Sequence, residues 1–195
     1  FPSREIEAVV ANAMAGAYMH MYPDHPSARI WLDRSVALAH ALSSSVKGTE
    51  MMTAYYYIWL GDREKAQAVF DSHQKAWKNA TSIPPTSRIG LSTTAAILLW
   101  HSGQIEHCRD SVREALELAQ REGLLVLNGL LYSIAAHNEL AVGNTVLARN
   151  YLEQMKPFAT FGSNRRRALI LAALLDLIEG QVDQAWQKCR QSWEV

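Results

Sequence analysis

The sequence has few cysteines, no net charge and no long apolar run. Its two cysteines, Cys108 and Cys189, are far apart and belong to no C-x-x-C motif, so a disulfide framework is not expected. Nineteen basic and nineteen acidic side chains cancel, so direct contact with nucleic acid is not expected either. The apolar stretches, such as 168–175, are far shorter than the roughly 20 residues that cross a bilayer, which predicts no membrane contact.

Motifs for catalysis and for metals are also missing. The sequence has no phosphate-binding loop of the G-x-x-x-x-G-K-[ST] type, and no G-x-S-x-G or H-E-x-x-H motif. His101, His107 and Cys108 are close in sequence. However, His101 ends one predicted helix, whereas His107 and Cys108 point about 100° apart on the next. No third ligand is evident, so Cys108 is interpreted as a buried small residue, and we expect no enzyme activity, no cofactor and no metal.

What the sequence does contain is an internal repeat of small residues around tight turns. The turns are 37 to 42 residues apart, at Pro23, Gly61, Gly103, Gly143 and Gly180. Seven residues before them are Gly16, Ala54, Ala96, Ala136 and Ala173, and five residues after them are Ala28, Ala66, Cys108, Ala148 and Ala185. Two antiparallel helices approach closely only where both carry small side chains, so each repeat is predicted to be a helix pair.

The hydrophobic periodicity is helical throughout, which predicts an all-α fold. Helices are predicted over 3–21, 26–43, 49–60, 62–79, 86–101, 104–121, 126–142, 144–156, 164–179 and 181–195. They pair into five repeats, over 3–43, 49–79, 86–121, 126–156 and 164–195, which we expect to form a single domain, 1–195. Phe1 is not an initiator methionine and the last helix has no cap, so the chain is expected to be part of a longer protein.

The repeat resembles that of the tetratricopeptide superfamily. There a small residue lies midway along the first helix, a Gly-Asp-like turn follows, and a small residue comes early in the second helix; the best match here is 57–66, YIWLGDREKA. The resemblance implies a right-handed superhelical solenoid of about five antiparallel helix pairs. The usual aromatic residue four positions before the turn survives only as Tyr57. Glu139 and Asp176 replace it later, so those repeats are expected to pack more loosely or to slip in register.

A second resemblance rests on the length of the repeats. They exceed the usual tetratricopeptide period of about 34 residues. Their extended second helices, such as 112–124, resemble the helical-repeat sensor region of large bacterial ATPase regulators of the maltose-activator type. In that family the region lies between a nucleotide-binding switch and a DNA-binding domain. The resemblance implies a cytoplasmic sensing module of a signalling or transcription regulator, in contact with neighbouring domains of the same polypeptide.

The first helices of the pairs carry the side chains that line the concave face in this superfamily. The residues predicted to bind a ligand or partner there are Tyr55, Trp59, Trp100, His101, Ser133 and His137. Aromatic side chains give a large contact area at low entropic cost, so the expected partner is a protein or peptide segment, or a small effector. For Ile58, Ile97 and Leu140, packing against the neighbouring repeat is an equally supported interpretation.

A run of three arginines is the second candidate site. Arg165, Arg166 and Arg167 begin a predicted helix after a Gly-Ser-Asn loop, where positive charge opposes the positive end of the helix dipole. A bound anion or an acidic partner would relieve that cost. The alternative, which we favour, is a solvated face with Asp176 or Glu179 nearby.

The alternative to a binding module is a structural scaffold or homo-oligomerisation module without a small-molecule ligand. The last predicted helix carries Trp186, Trp193 and Val195 and ends without a polar cap. In this interpretation, these residues meet a second copy of the chain, and a homodimer through the C-terminal helix is expected.

Overall fold

The computed structural model describes residues 2–21, 25–42, 49–78, 83–160 and 162–194. Over these residues the chain forms ten α-helices and no strand. The helices are α1 (Arg4–Met21), α2 (Pro26–Ala41), α3 (Thr49–Trp59), α4 (Arg63–Lys78), α5 (Pro85–His101), α6 (Ile105–Glu122), α7 (Asn128–Ala141), α8 (Thr145–Met155), α9 (Gly162–Ile178) and α10 (Val182–Trp193). The prediction of an all-α fold with ten helices is confirmed.

The observed helix boundaries lie within two residues of the predicted ones, apart from those that fall outside the described residues. The predicted ends at 43, 79 and 195 and the predicted turn at Pro23 fall outside them. Two starts differ. A 3-10 turn, Leu125–Leu127, occupies the first residues predicted for α7, and α9 begins two residues early, at Gly162. The Gly-Ser-Asn segment predicted as a loop is therefore the first turn of α9.

Four of the predicted turns close with the same hydrogen-bond pattern. Gly61, Gly103, Gly143 and Gly180 have φ angles of 75°, 71°, 77° and 78°. Each glycine N–H donates to the carbonyl three residues back, and the next N–H donates to the carbonyl five residues back. This is the Schellman motif, in which a left-handed residue satisfies the last carbonyls of a helix, and glycine adopts that conformation without steric cost. The sequence repeat is therefore also a repeat of backbone geometry.

Nine of the ten small residues around the turns are buried, as the repeat predicts, and Gly16 is half-buried. Ala54, Ala66, Ala96, Ala136 and Ala148 are all essentially inaccessible to solvent. The thiol of Cys108 on α6 lies 3.3 Å from the carbonyl oxygen of Ala96 on α5, so the two helix backbones approach closely at this point. A larger side chain at such a position would force the helices apart, which explains why the repeat admits only small residues.

The chain divides into two compact units, Phe1–Thr94 and Ala95–Val195, with the division inside α5. In the first unit, α1 packs on α2, α3 packs on α4, and α3 also contacts α1 and α2. Ala8, Ala11 and Leu38 form part of its core, and Trp31 packs against them. Outside this core, Arg29 of α2 pairs with Asp33 and lies over the ring of Tyr56 on α3.

In the second unit, α7 lies at the centre. It packs against α6, α8 and α9, and α9 packs in turn against α10. Its core contains Ala136, Leu152, Met155, Leu171 and Leu175. Because Leu171 and Leu175 are fully buried, truncating either to alanine would cost about 2 to 5 kcal/mol. Side chains of α7 also take part in both candidate sites.

The expectation that Glu139 and Asp176 shift the register of their repeats is wrong. Both side chains are buried, and both residues accept the same turn-closing backbone hydrogen bond as Tyr57 does in its repeat. The carboxylate of Asp176 pairs with Lys188 of α10 at 2.5 Å. Glu139 pairs with Arg109 of α6. A partner of opposite charge therefore allows an acid to occupy the position where an aromatic residue is expected.

Candidate functional site

Three of the predicted site residues lie together in the second unit. The ring of Trp100, near the end of α5, is 4.6 Å from that of His101 and 5.1 Å from that of His137 on α7, centroid to centroid. The two interplanar angles are 54° and 46°, so the rings are tilted rather than stacked. We call Trp100, His101 and His137 the Trp100 cluster. Trp100 and His137 are half-buried and His101 is exposed, so the cluster is reachable from solvent.

Burial and hydrogen bonding fix the state of His137. Its Nδ1 is 2.9 Å from the carbonyl oxygen of Ser133, and because a carbonyl only accepts, Nδ1 carries the proton and donates. Burial lowers the pKa of His137 below its ordinary value, and the positive charge of Arg167 lowers it further, while the bond to Ser133 opposes the shift. His137 is therefore neutral at pH 7, and its Nε2 is a hydrogen-bond acceptor.

This arrangement suits binding. Two aromatic faces and one acceptor can hold an apolar or aromatic group that carries a single donor. Among the described residues, no three His, Cys, Asp or Glu side chains are grouped as metal ligands. In the same part of the chain, no helix is both long and apolar enough to cross a bilayer.

The other predicted site residues have different environments. In the first unit, Tyr55 is buried, whereas 57% of the surface of Trp59 is exposed. Ser133 is buried and supports His137 through its backbone carbonyl. Ile58 and Ile97 are buried, and Leu140 packs against the core of the second unit. For these three residues, packing is the interpretation that agrees with their burial.

The arginine run makes its contacts within the second unit. Arg166 Nε donates to the carbonyl oxygen of Ser192 at 3.1 Å. Arg167 donates from Nη1 to Ser163 Oγ and Asn164 Oδ1, at 3.1 and 3.2 Å. The acids considered as alternative partners pair elsewhere, Asp176 with Lys188 and Glu179 with Arg149. Arg165 is the exposed member of the run, and it stays the candidate for contact with an anion or an acidic partner.

The sequence did not predict a cavity of about 600 Å³, partly open to solvent, that is lined by α6, α7, α8 and the 3-10 turns Leu125–Leu127 and Lys156–Phe158. We call it the α6–α8 cavity. Its buried lining residues are Val112, Asn128, Ala135, Asn138 and Glu139. The aromatic part of its wall consists of Tyr132, Tyr151 and Phe158, with Tyr132 6.4 Å from Tyr151 and 6.0 Å from Phe158 between ring centroids. Burial, followed by the negative charge of Glu139, raises the pKa of Tyr151, so its hydroxyl stays protonated at neutral pH.

A network of charged groups closes one end of the α6–α8 cavity. Arg109 Nε donates to Glu139 Oε1 at 2.6 Å, and Arg109 Nη2 donates to Oε2 at 2.7 Å. Asn144 Nδ2 also donates to Oε2, at 3.1 Å, and Arg109 has Glu106 as a second acidic partner. These charges therefore already compensate one another.

Two of the residues that line this cavity have a buried amide oxygen without a hydrogen-bond partner among the described residues. The two oxygens are Oδ1 of Asn128 and Oδ1 of Asn138. The amide of Asn138 is oriented by Nδ2, which donates to the carbonyl oxygen of Ile105 at 3.0 Å. A buried acceptor without a donor costs about 1 to 3 kcal/mol, so such groups are uncommon in folded proteins. One signal in the sequence points here: Glu139 stands where the repeat places an aromatic residue.

Comparison of the chain with protein-family models, with curated proteins and with solved structures finds no match. The resemblance to tetratricopeptide repeats therefore stays a prediction from the sequence pattern.

Proposed function

We propose that the chain is a non-catalytic binding module of the tetratricopeptide type. In this proposal about five antiparallel helix pairs form a right-handed solenoid, and the module is the sensing or interaction region of a cytoplasmic bacterial signalling or transcription regulator. The repeated Schellman turns and the buried small residues support the helix-pair architecture. Ligand binding would affect neighbouring domains if the ligand bound more tightly to one curvature of the solenoid.

The Trp100 cluster is the observation that carries this proposal. Its rings offer a large apolar contact, and the unprotonated Nε2 of His137 accepts one hydrogen bond. A protein segment or small effector with an aromatic or aliphatic group next to an N–H or O–H donor meets both requirements. No catalytic role is proposed, because the cluster brings no nucleophile to His137.

Selection from a displayed library of random peptides tests the proposal. Peptides enriched on the wild-type protein are expected to carry an apolar or aromatic residue, and to lose at least about tenfold in affinity for Trp100→Ala, because the main contact surface is removed. Val146→Ala is the control, since Val146 is an exposed apolar residue on α8 that belongs to neither the Trp100 cluster nor the apolar face of α10. Peptides that bind Trp100→Ala as tightly as the wild type would place the binding site elsewhere.

Trp59 is tested separately, with Trp59→Ala and the same peptides. The fluorescence of tryptophan gives the readout, and helix content by circular dichroism confirms that each variant is folded. A loss of affinity in Trp59→Ala would add the first unit to the binding surface. Unchanged affinity would confine the surface to the Trp100 cluster.

An exposed apolar face on α10 favours a second candidate function, homo-oligomerisation. Val182, Trp186 and Trp193 are spaced at i, i+4 and i+11, so they share one face of the helix. Trp186 is 64% exposed and Trp193 is 83% exposed. Burying such residues against a second copy would release about 25 cal/mol for each Å² of apolar surface.

Native mass spectrometry over a range of protein concentrations tests this second function. A homodimer that dissociates on dilution, and that is lost in Trp186→Gln/Trp193→Gln, would support it. A monomer at all concentrations would contradict it. The same spectra test the binding module, because a retained small molecule adds mass to the polypeptide.

A further inference from the structure

We infer that the α6–α8 cavity is a second ligand site, and that its ligand is uncharged, elongated and aromatic, with a hydrogen-bond donor at each end. This inference is independent of the Trp100 cluster, because different side chains of α7 form the two sites. His137 belongs to the cluster, whereas the next residue, Asn138, lines the cavity. Neighbours on a helix project about 100° apart.

The size of the cavity fits a small organic molecule. Its volume of about 600 Å³ lies within the range of about 300 to 1,000 Å³ typical of small-molecule sites. Apolar side chains such as Val112, Ala135 and Leu147 line it together with a few polar groups. Ligand sites usually combine an apolar wall with a small number of polar groups that orient the ligand.

The unpartnered amide oxygens define what the ligand must donate. Asn128 Oδ1 and Asn138 Oδ1 are both acceptors, so each requires an N–H or O–H group. Asn138 cannot turn its amide without losing the bond from Nδ2 to the carbonyl oxygen of Ile105. Because each oxygen is itself buried, a ligand reaches it through a small movement of the side chains around it, and donation to both oxygens would satisfy two groups that the described residues leave unsatisfied.

The separation of the two asparagines determines the length of the ligand. They lie ten residues apart on α7, which corresponds to about 15 Å along the helix axis. The rings of Tyr132, Tyr151 and Phe158 also line the cavity. A flat aromatic body therefore stacks on these rings while its two ends reach the two amides.

The charges around the cavity exclude an ionic ligand. Arg109 already binds the buried carboxylate of Glu139 with two hydrogen bonds and also contacts Glu106. A charged ligand beside Glu139 would have to break the Arg109–Glu139 pair or enter without a counter-charge, and burial of an unpaired charge is strongly unfavourable.

Biphenyl with a hydroxyl group at each para end is a probe with these properties, and its dimethyl ether is the matched control without donors. Titrations of the wild-type protein are followed by two-dimensional amide NMR and by calorimetry. We expect the diol to bind at least about tenfold more tightly than the ether, because each oxygen gains a hydrogen bond. The shifted amides are expected on α6, α7 and α8. Equal affinities, binding of neither compound, or shifts confined to the Trp100 cluster would overturn the inference.

Variants provide a second measurement. Asn128→Leu removes one acceptor at nearly constant volume and is expected to reduce the preference for the diol about tenfold. Ala135→Trp fills the cavity and is expected to abolish binding of both compounds. Asn150→Leu, at an exposed position of α8, is the control and should bind as the wild type does. Circular dichroism identifies any variant that fails to fold, and for such a variant the comparison of diol and ether in the wild type decides.

Discussion

Arg109 of α6 holds the carboxylate of Glu139 of α7 by two hydrogen bonds, although the two residues are thirty positions apart in the sequence. The two partners differ in burial. Only 2% of the Glu139 side chain is exposed, compared with 33% of the Arg109 side chain. The carboxylate beside it holds the pKa of Arg109 above its ordinary value. The consequences of breaking the pair therefore depend on which partner is removed.

We expect Arg109→Met to lower the free energy of unfolding by about 2 to 3 kcal/mol, because it leaves a buried carboxylate with Asn144 as its remaining side-chain donor. Glu139→Gln is expected to cost about 1 kcal/mol, since the partly exposed guanidinium of Arg109 keeps Glu106 and water as hydrogen-bond partners. Urea denaturation measures both values. Arg113→Met is the control, because Arg113 and Asp110 form an exposed pair, and it should cost less than about 1 kcal/mol. Equal losses for Arg109→Met and Arg113→Met would contradict the proposed role of burial.

The lowered pKa of His137 predicts that acid destabilises the protein. The unfolded chain binds a proton near the ordinary value of 6.5, whereas folded His137 binds it at a lower pH. Between these two values the unfolded state holds more protons, so stability is lost as pH falls through this window, by at most about 1.4 kcal/mol per pH unit. At about pH 8, well above the ordinary pKa of 6.5, both states are neutral and this residue contributes no pH dependence.

Urea denaturation of wild type and His137→Gln between about pH 7.5 and 5.5 measures this contribution. The curve of His137→Gln is expected to be flatter, because the titrating group has been removed. His107→Gln, at an exposed position of α6, should keep the wild-type slope. Parallel curves for wild type and His137→Gln would show that His137 is not the group responsible.

The two cysteines are expected to differ in reactivity. Burial raises the pKa of Cys108 to about 11, and its thiol lies against the carbonyl of Ala96. Cys189 is half-buried on α10. Because the thiolate is the reactive form, iodoacetamide at about pH 8 should modify Cys189 and spare Cys108 until the chain is unfolded. Mass spectrometry of native Cys189→Ser should then show no adduct, and rapid labelling of that variant would disprove the burial of Cys108.

Alanine is expected to have opposite effects at two glycines. Gly143 has a φ of 77° in a Schellman turn, so Gly143→Ala should cost about 1 to 2 kcal/mol. Gly16 lies inside α1, and a methyl group there would meet the sulfur of Met52 at an ordinary distance of 3.8 Å. Gly16→Ala should therefore stabilise by about 0.5 to 1 kcal/mol, because alanine loses less backbone entropy. Thermal unfolding measures both, and a stabilising Gly143→Ala would refute the geometry assigned to that turn.

Local features of the fold were predictable from the sequence. The turn at Gly103, for example, depends on residues within five positions of one another, so the glycine and the flanking small residues suffice to place it. The 3-10 turn before α7 was missed because Leu125, Val126 and Leu127 continue the apolar pattern of a helix. The backbone hydrogen bonds of a 3-10 turn span three residues, whereas those of an α-helix span four, and the pattern of polar and apolar side chains does not distinguish the two.

Non-local features were predictable only in part. The sequence pattern predicted that Trp100 and His137 lie on the same, concave side of their helix pairs, but their contact depends on how α5 and α7 pack. Glu139 was recognised as a departure from the repeat, yet its partner Arg109 lies thirty residues away on another helix. The unpartnered oxygens of Asn128 and Asn138 follow from the packing of three helices around a cavity, and the sequence alone gives no measure of that.

One helix, α7, carries His137 of the Trp100 cluster and also the two asparagines of the α6–α8 cavity. A ligand that binds its site more tightly in one position of α7 shifts the helix toward that position. The affinity of the other site then changes if it also depends on the position of α7, and thermodynamic linkage requires the second ligand to change the affinity of the first site by the same factor. Two different ligands would then regulate each other without touching. The affinity measured at either site would depend on whether the other site is occupied.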